Sequence, residues 1–199
     1  MPIVSAPRRL TQLVLGCVVL GVGIGLLLNA RLGADGYSML VSGASIASSI
    51  AFWICNVALG VVLVLLAWAR GRRPGIGTLV QPVVVGVTVS VAMPLLPVPE
   101  SLLWRWAEFG TGFLVLSLGV ALYLSVDLGA GPAEGAALAF DPPWPFKWTY
   151  GVFQLVTTLG GWAMGADLGP GTLIVILGIG PLVDRLIHWV TPPGVREIH

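Results

Sequence analysis

The chain carries nine Asp and Glu residues, and most of them fall in loops or at the ends of long apolar runs. Asp35 and Glu134 stand apart. Asp35 lies in Leu32-Gly33-Ala34-Asp35-Gly36-Tyr37-Ser38-Met39, and Glu134 lies in Leu128-Gly129-Ala130-Gly131-Pro132-Ala133-Glu134-Gly135. Each stretch is a glycine-rich break followed by residues suited to a helix start. Asp35 is placed as an N-cap, with Ser38 at the third helical position. In the second stretch Gly131 is the N-cap, Pro132 suits the first helical position and Glu134 falls at the third. Two chemistries follow from that placement. The carboxylates can cap short helices and offset their dipoles. If instead the helices dip into a membrane, the same carboxylates line a polar cavity, where they attract a cationic group or carry a coupled proton. The helix N-termini alone would draw an anion, which Glu134 would oppose unless protonated. On the cavity reading the candidate solute-binding residues are Asp35, Gly36, Ser38, Asn29, Ser125, Gly131 and Glu134.

The elements that must position these residues are written twice. The first break recurs as the second at an offset of 96, and upstream Gly16, Val19, Leu20 and Gly23 fall on Gly112, Val115, Leu116 and Gly119 at that same offset. A second pair of segments matches at an offset of 94: Trp68-Ala69 on Trp162-Ala163, Gly71 on Gly165, Gly75 on Gly169, Gly77-Thr78-Leu79 on Gly171-Thr172-Leu173, and Gly86 on Gly180. Apolar residues match by chance in any apolar chain. Glycines, a tryptophan and a threonine held in register over two long blocks indicate an internal duplication, and that decides the architecture.

Hydrophobic residues make up 56% of the chain and charged ones only 10%, where a soluble domain carries roughly a quarter charged. This is the composition of an integral membrane protein. Acids and bases nearly balance, so no nucleic-acid partner is indicated. Cys17 and Cys55 lie inside apolar runs without CxxC spacing or a neighbouring histidine, which suits packing rather than a metal or redox role. No HExxH, no Ser/His/Asp set and no metal cluster is present, and His188 and His199 both fall near the C-terminus. Neither a cofactor nor a metal is expected, and the chain is not expected to be an enzyme.

Arg8-Arg9 precede an apolar run from Leu10 to Ala30 of about membrane-spanning length, roughly 20 residues. A basic pair before an apolar run could mark a secretory signal. This run is too long, ends in the poor cleavage site Leu28-Asn29-Ala30, and has a counterpart deep inside the chain, so it reads as a retained first span. The stretch from Tyr37 to Ala69 divides into a short helix at roughly 36–46 and a second span at 49–69. A third span runs from about Ile76 to Met93, a fourth from Leu103 to Val126. A second short helix follows at about 132–140, then a fifth span from Lys147 to Met164 and a sixth from Pro170 to Trp189. The fold expected is an all-α membrane protein, one membrane domain over 1–199. It has six transmembrane helices as two three-helix repeats, at about 10–97 and 103–190. Each repeat has a Gly-rich break and a short half-helix after its first span.

Consecutive copies with three crossings enter the membrane from opposite sides, so the repeats are expected to be inverted about an axis in the membrane plane. Lys and Arg placement agrees. With both termini cytoplasmic, Arg8, Arg9, Arg70, Arg72, Arg73, Lys147, Arg185 and Arg196 lie inside and only Arg31 and Arg105 outside, the positive-inside bias of a multi-pass protein of the cell membrane. Gly16 and Gly23, like Gly112 and Gly119, share one helix face, which lets membrane helices approach closely. Gly75-x-Gly77-Thr78 and Gly169-x-Gly171-Thr172 resemble a phosphate loop only faintly. No lysine follows, and a tight helix start is the plainer role.

The stretches Leu32–Ser38, Leu128–Gly135 and Leu168-Gly169-Pro170-Gly171-Thr172 with Ile179-Gly180-Pro181 together resemble the YczE/YitT-like family of bacterial membrane proteins, over nearly the whole chain. That family's second half usually reads Gly-Pro-Arg-Asp-Gly, with an Arg and a Glu one turn apart in the next span. Here Ala133 stands for that Arg, Glu134 for that Asp, and Tyr150 and Gln154 for the later pair. The resemblance implies a membrane protein of transport type. Broken helices in corresponding positions of inverted halves point the same way. The expectation is therefore a small-solute transporter or permease with its site near the Leu-Gly-Ala breaks; the alternative is a membrane accessory or scaffold protein without transport activity. The expected partners are an unidentified small solute and the lipid bilayer, and a homo-oligomer is compatible with the chain.

Overall fold

Inside lipid a backbone must satisfy its own polar groups, which leaves only helices and closed barrels. The computed structural model describes residues 6–191 apart from 142, so the basic residue at 196 and the rest of the C-terminal tail lie outside the described residues. Among the described residues there are eight α-helices and no strand: α1 (Ala6–Ala30), α2 (Gly36–Ser48), α3 (Phe52–Ala69), α4 (Ile76–Ala92), α5 (Leu102–Leu124), α6 (Pro132–Leu138), α7 (Phe146–Ala163) and α8 (Pro170–Val190). A 3-10 turn, Met93–Leu95, extends α4. The expected boundaries agree to within a few residues, because Gly and Pro stand at nearly every break.

Among the described residues five segments are long and apolar enough to cross a membrane: Pro7–Ala30, Phe52–Ala69, Ile76–Leu95, Leu102–Leu124 and Pro170–Val190. The expected fifth span, α7, is not among them. It matches α3 in length, at 18 residues each, but it carries Lys147, Thr149, Gln154, Thr157 and Thr158. Three of those, Gln154, Thr157 and Thr158, are buried, so the polar face of α7 is turned toward protein, where it packs along α2. The faces of the other long helices that carry Leu15, Val62, Leu65, Val91, Leu114 and Leu177 are exposed, the surface a lipid-facing helix presents.

The centre of the molecule is the α1–α5 pair. Gly16 meets Tyr123, Gly23 meets Leu116, and Gly112 meets Leu26 and Leu27. Numbers rise along one helix as they fall along the other, so the two run antiparallel. The contact is backbone on backbone: a Cβ on Gly23 would overlap the Leu116 nitrogen, and one on Gly119 the Leu20 nitrogen. The absent side chains at these positions are what allow so close a crossing. Around this pair α4 packs on α1 and α8 on α5, α2 packs on α7, and α6 on α3.

The two ends of the pair are tied by arginines. Arg105, in the first turn of α5, donates from Nε to Ala30 O at 2.8 Å and from its guanidinium to Arg31 O at 2.6 Å. Arg9, in the first turns of α1, donates to Val126 O and Asp127 O at the end of α5. Each cation therefore satisfies carbonyls that the end of the neighbouring helix leaves open.

Candidate functional site

The unwound stretches after α1 and α5 turn through left-handed backbone at matching places. Arg31 and Gly33 have φ of 55° and 99°, and Asp127 and Gly129 have 49° and 116°. Both glycines stand where a side chain would be strained. The carbonyls exposed by unwinding are taken up by the starts of α4 and α8. Gly77 N donates to Leu128 O at 2.8 Å, and Gly171 N donates to Leu32 O at 2.8 Å. Thr78 Oγ1 adds a bond to Ala130 O at 2.7 Å. The twice-written Gly-x-Gly-Thr is thus a clamp on the twice-written break, and its role is structural.

The clamps hold the first turns of α2 and α6 against a cavity of about 60 Å³, room for a few water molecules. Leu20, Ile24, Leu116 and Val120 form part of its wall, and they lie near the middle of α1 and α5. The short helices therefore begin at mid-height of the central pair. The polar wall consists of Asp35, Tyr37, Ser38, Asn56, Gln81, Glu134 and Tyr150. Among the described residues no Lys, Arg or His lines this cavity.

Asp35 is the N-cap of α2, and its Oδ2 accepts from Ser38 N at 3.0 Å. Its Oδ1 and the Oε2 of Glu134 are buried without a hydrogen-bond partner. The two carboxylates are near enough to interact electrostatically. Tyr123, only 1% exposed, brings its hydroxyl up to the Glu134 carboxyl, but that hydroxyl has no partner in hydrogen-bonding geometry. Buried polar atoms normally find partners, and each exception calls for an explanation. Among the described residues, three of the four exceptions, at Asp35, Glu134 and Tyr123, gather around one cavity; the fourth, Thr158 Oγ1, is not among its lining residues.

Of the residues singled out from sequence, Asp35, Ser38 and Glu134 line the cavity together. Gly36 and Gly131 stand at its edge for steric reasons. A Cβ on Gly36 would strike the Gln154 carbonyl, and Gly36 N donates to Gln154 Oε1 at 2.8 Å. A Cβ on Gly131 would lie 2.5 Å from Glu134 Oε2 and 2.8 Å from Gln81 Nε2. Asn29 and Ser125 were expected in the cavity and are not there. Asn29 Nδ2 donates to Pro97 O at 2.9 Å and Glu108 Oε1 at 2.8 Å, and Ser125 Oγ accepts from Gln12 Nε2 at 2.8 Å. Both tie the ends of α1 and α5 instead, because the chain turns back into the molecule only after them.

Sequence reasoning missed Tyr37, Asn56 and Gln81 as cavity residues. Asn56 and Gln81 were open to detection as single amides within apolar runs. Asn56 Nδ2 donates to Pro82 O at 2.6 Å, and Tyr37 Oη donates to Asn56 O at 3.1 Å. Tyr150 and Gln154 were noticed only as stand-ins for a charged pair. They form a neutral link: Gln154 Nε2 donates to Tyr150 Oη at 3.1 Å.

With this geometry in view, comparison with known proteins places the chain. A family description covers residues 7–188. The chain belongs to that family, the family of unknown function DUF6198. An uncharacterized protein of Haemophilus influenzae is 25% identical over 185 residues, covering 91% of this chain and 84% of that protein. The uncharacterized membrane protein YczE of Bacillus subtilis is 25% identical over 128 residues, covering 63% of this chain and 58% of that protein. No solved structure matches. This DUF6198 chain is a YczE-like bacterial membrane protein, as the Leu-Gly-Ala breaks implied, and with its apolar helices it is multi-pass.

Proposed function

We propose that this DUF6198 protein is a small-solute transporter or permease of the cell membrane, with its site in the cavity between two inverted three-helix halves. The observation that carries the reading is the pair Asp35 and Glu134, whose unpartnered oxygens meet a water-sized space at mid-height of α1 and α5. Intramembrane carboxylates are costly, and where they persist they mark solute or proton pathways.

Support for two inverted halves comes from contacts that repeat with the sequence offsets. Gly23 on Leu116 is matched by Gly119 on Leu20. Arg9 at the end of α5 is matched by Arg105 at the end of α1. Gly77 on Leu128 is matched by Gly171 on Leu32. In this arrangement α3 corresponds to α7, which crosses as the fifth of six spans with its polar face shielded by α2. Both termini and the Arg70–Pro74 loop are cytoplasmic, in keeping with the positive-inside bias. The second reading is an accessory or scaffold protein without transport activity. The backbone-close α1–α5 seam favours it, since helices so locked have little room to slide.

The test is Glu134→Gln in purified protein and in proteoliposomes. Transport predicts unchanged folding, a melting temperature near wild type, and loss of solute uptake or of ligand-induced stabilisation in a metabolite screen. A capping role alone predicts a stability loss of about 1 kcal/mol or less with unchanged uptake. Unchanged uptake would remove Glu134 from the pathway, and absence of uptake by the wild type across the screen would favour the scaffold.

A further inference from the structure

The chemistry of the cavity wall narrows the solute, and this step rests on the transport reading only for the claim that the solute crosses. The N-termini of α2 and α6 would ordinarily invite an anion. Here two donors of α2 are already taken and one of α6 is missing. Gly36 N is bonded to Gln154 Oε1 and Ser38 N to Asp35 Oδ2, Pro132 has no N–H, and Gly135 N closes on Gly131 O. An anion would also meet two carboxylates and, among the described lining residues, no basic side chain.

The charge balance is uneven in an informative way. Asp35 caps α2, so the positive end of that helix offsets much of its negative charge. Glu134 belongs to a helix of only seven residues and has the greater share of charge left without compensation. With Glu134 ionised, about one negative charge is left to be matched. Beside the polar groups of Ser38, Asn56 and Gln81, the wall is apolar or aromatic, with the rings of Tyr37, Phe52 and Tyr150 among its residues. Aromatic faces contribute little to a small metal ion that requires a shell of oxygens. They do favour an organic cation, whose charge is spread and weakly hydrated. The volume, about 60 Å³, restricts such a cation to a few heavy atoms.

We infer that the cavity binds one compact organic monocation of the ammonium or guanidinium type, paired with Glu134 and bounded by Tyr37, Phe52 and Tyr150. The unpartnered Glu134 oxygen accepts from its N–H groups, and Asp35 Oδ1 offers a second acceptor on the cavity wall.

The experiment uses the full chain in detergent. Melting temperature and binding heat are measured with millimolar methylammonium chloride and guanidinium chloride, against NaCl and MgCl₂ at matched ionic strength. Saturable stabilisation by an organic cation, with none from NaCl or MgCl₂, is the expected result. Glu134→Gln weakens that binding roughly tenfold or more. Asp35→Asn, which retains the cap, serves if the first variant does not fold, and weakens it less. Tyr150→Leu weakens binding by roughly tenfold and Tyr150→Phe by much less, because the ring survives. A saturable shift from NaCl or MgCl₂ alone, no shift with any cation, or equal shifts in wild type and Glu134→Gln would overturn the inference. Failure of the two readings can be told apart. Glu134-dependent uptake of some other solute with no cation binding removes the cation and leaves transport standing. Cation binding without flux in proteoliposomes keeps the site and removes transport.

Discussion

At Asp35 two duties fall on one carboxylate, and substitutions separate them. Oδ2 caps α2 through Ser38 N, while Oδ1 is left to the cavity. Asp35→Ala loses both, and the cap alone is worth about 1 kcal/mol. Asp35→Asn keeps an acceptor at the cap and removes the charge. The expected outcome is a measurably lower melting temperature for Ala, a near-native one for Asn, and impaired uptake in both. Native uptake by Asp35→Asn would show that the charge is idle. Asp35, Ser38 and Glu134 could be read from sequence because capping chemistry is local: a Gly-rich break and an acid within three residues suffice. Asn29 and Ser125 could not be placed that way. They lie a few residues from the breaks, but their direction depends on where the backbone reverses, which Arg31 and Asp127 set through positive φ.

At the scale of the helices, the glycine faces of α1 and α5 make a definite prediction. A Cβ at Gly119 meets the Leu20 backbone rather than the tip of a flexible side chain. Gly119→Ala must push the helices apart, at a cost of about 1–3 kcal/mol for an overpacked interface, read as a lower melting temperature. Gly110, where a Cβ meets nothing within 4 Å, is the control, and Gly110→Ala should leave stability unchanged or slightly raised. Arg105→Gln removes two bonds to the end of α1 and should destabilise by about 1–2 kcal/mol. The paired glycines showed in the sequence that these faces meet something; they did not show that they meet each other. Arg9 and Arg105 share the 96-residue offset too, yet charge counting sorted them by side of the membrane and obscured their common task. The polar face of α7 was likewise hidden. A hydropathy pattern records how polar a helix is, and not that a neighbouring helix covers the polar side.

For the whole molecule, sidedness is the open quantity, and the buried cysteines make it easy to measure. Cys17 and Cys55 are both buried, so a membrane-impermeant thiol reagent reports mainly on cysteines introduced in loops. Arg72→Cys should react only from the cytoplasmic side and Glu100→Cys only from outside. Reaction of position 72 from outside would invert the scheme, and reaction of both positions from one side would remove the membrane crossing of α4.

The α1–α5 seam also limits how such a molecule could work. Backbones in direct contact along Gly16, Gly23, Gly112 and Gly119, with an arginine lashing each end, make a stiff axle through the centre. An axle can turn but cannot part. If the protein transports as proposed, access to the cavity from either side comes from the limbs swinging about it: α2 with α7 on one flank, α6 with α3 on the other. Those limbs carry the two acids at their inner ends, beside Leu20 and Leu116 of the axle, so a rotation displaces Asp35 and Glu134 less than the outer ends of the limbs. On the transport reading, the close-packed glycines of the seam set the limit of that motion.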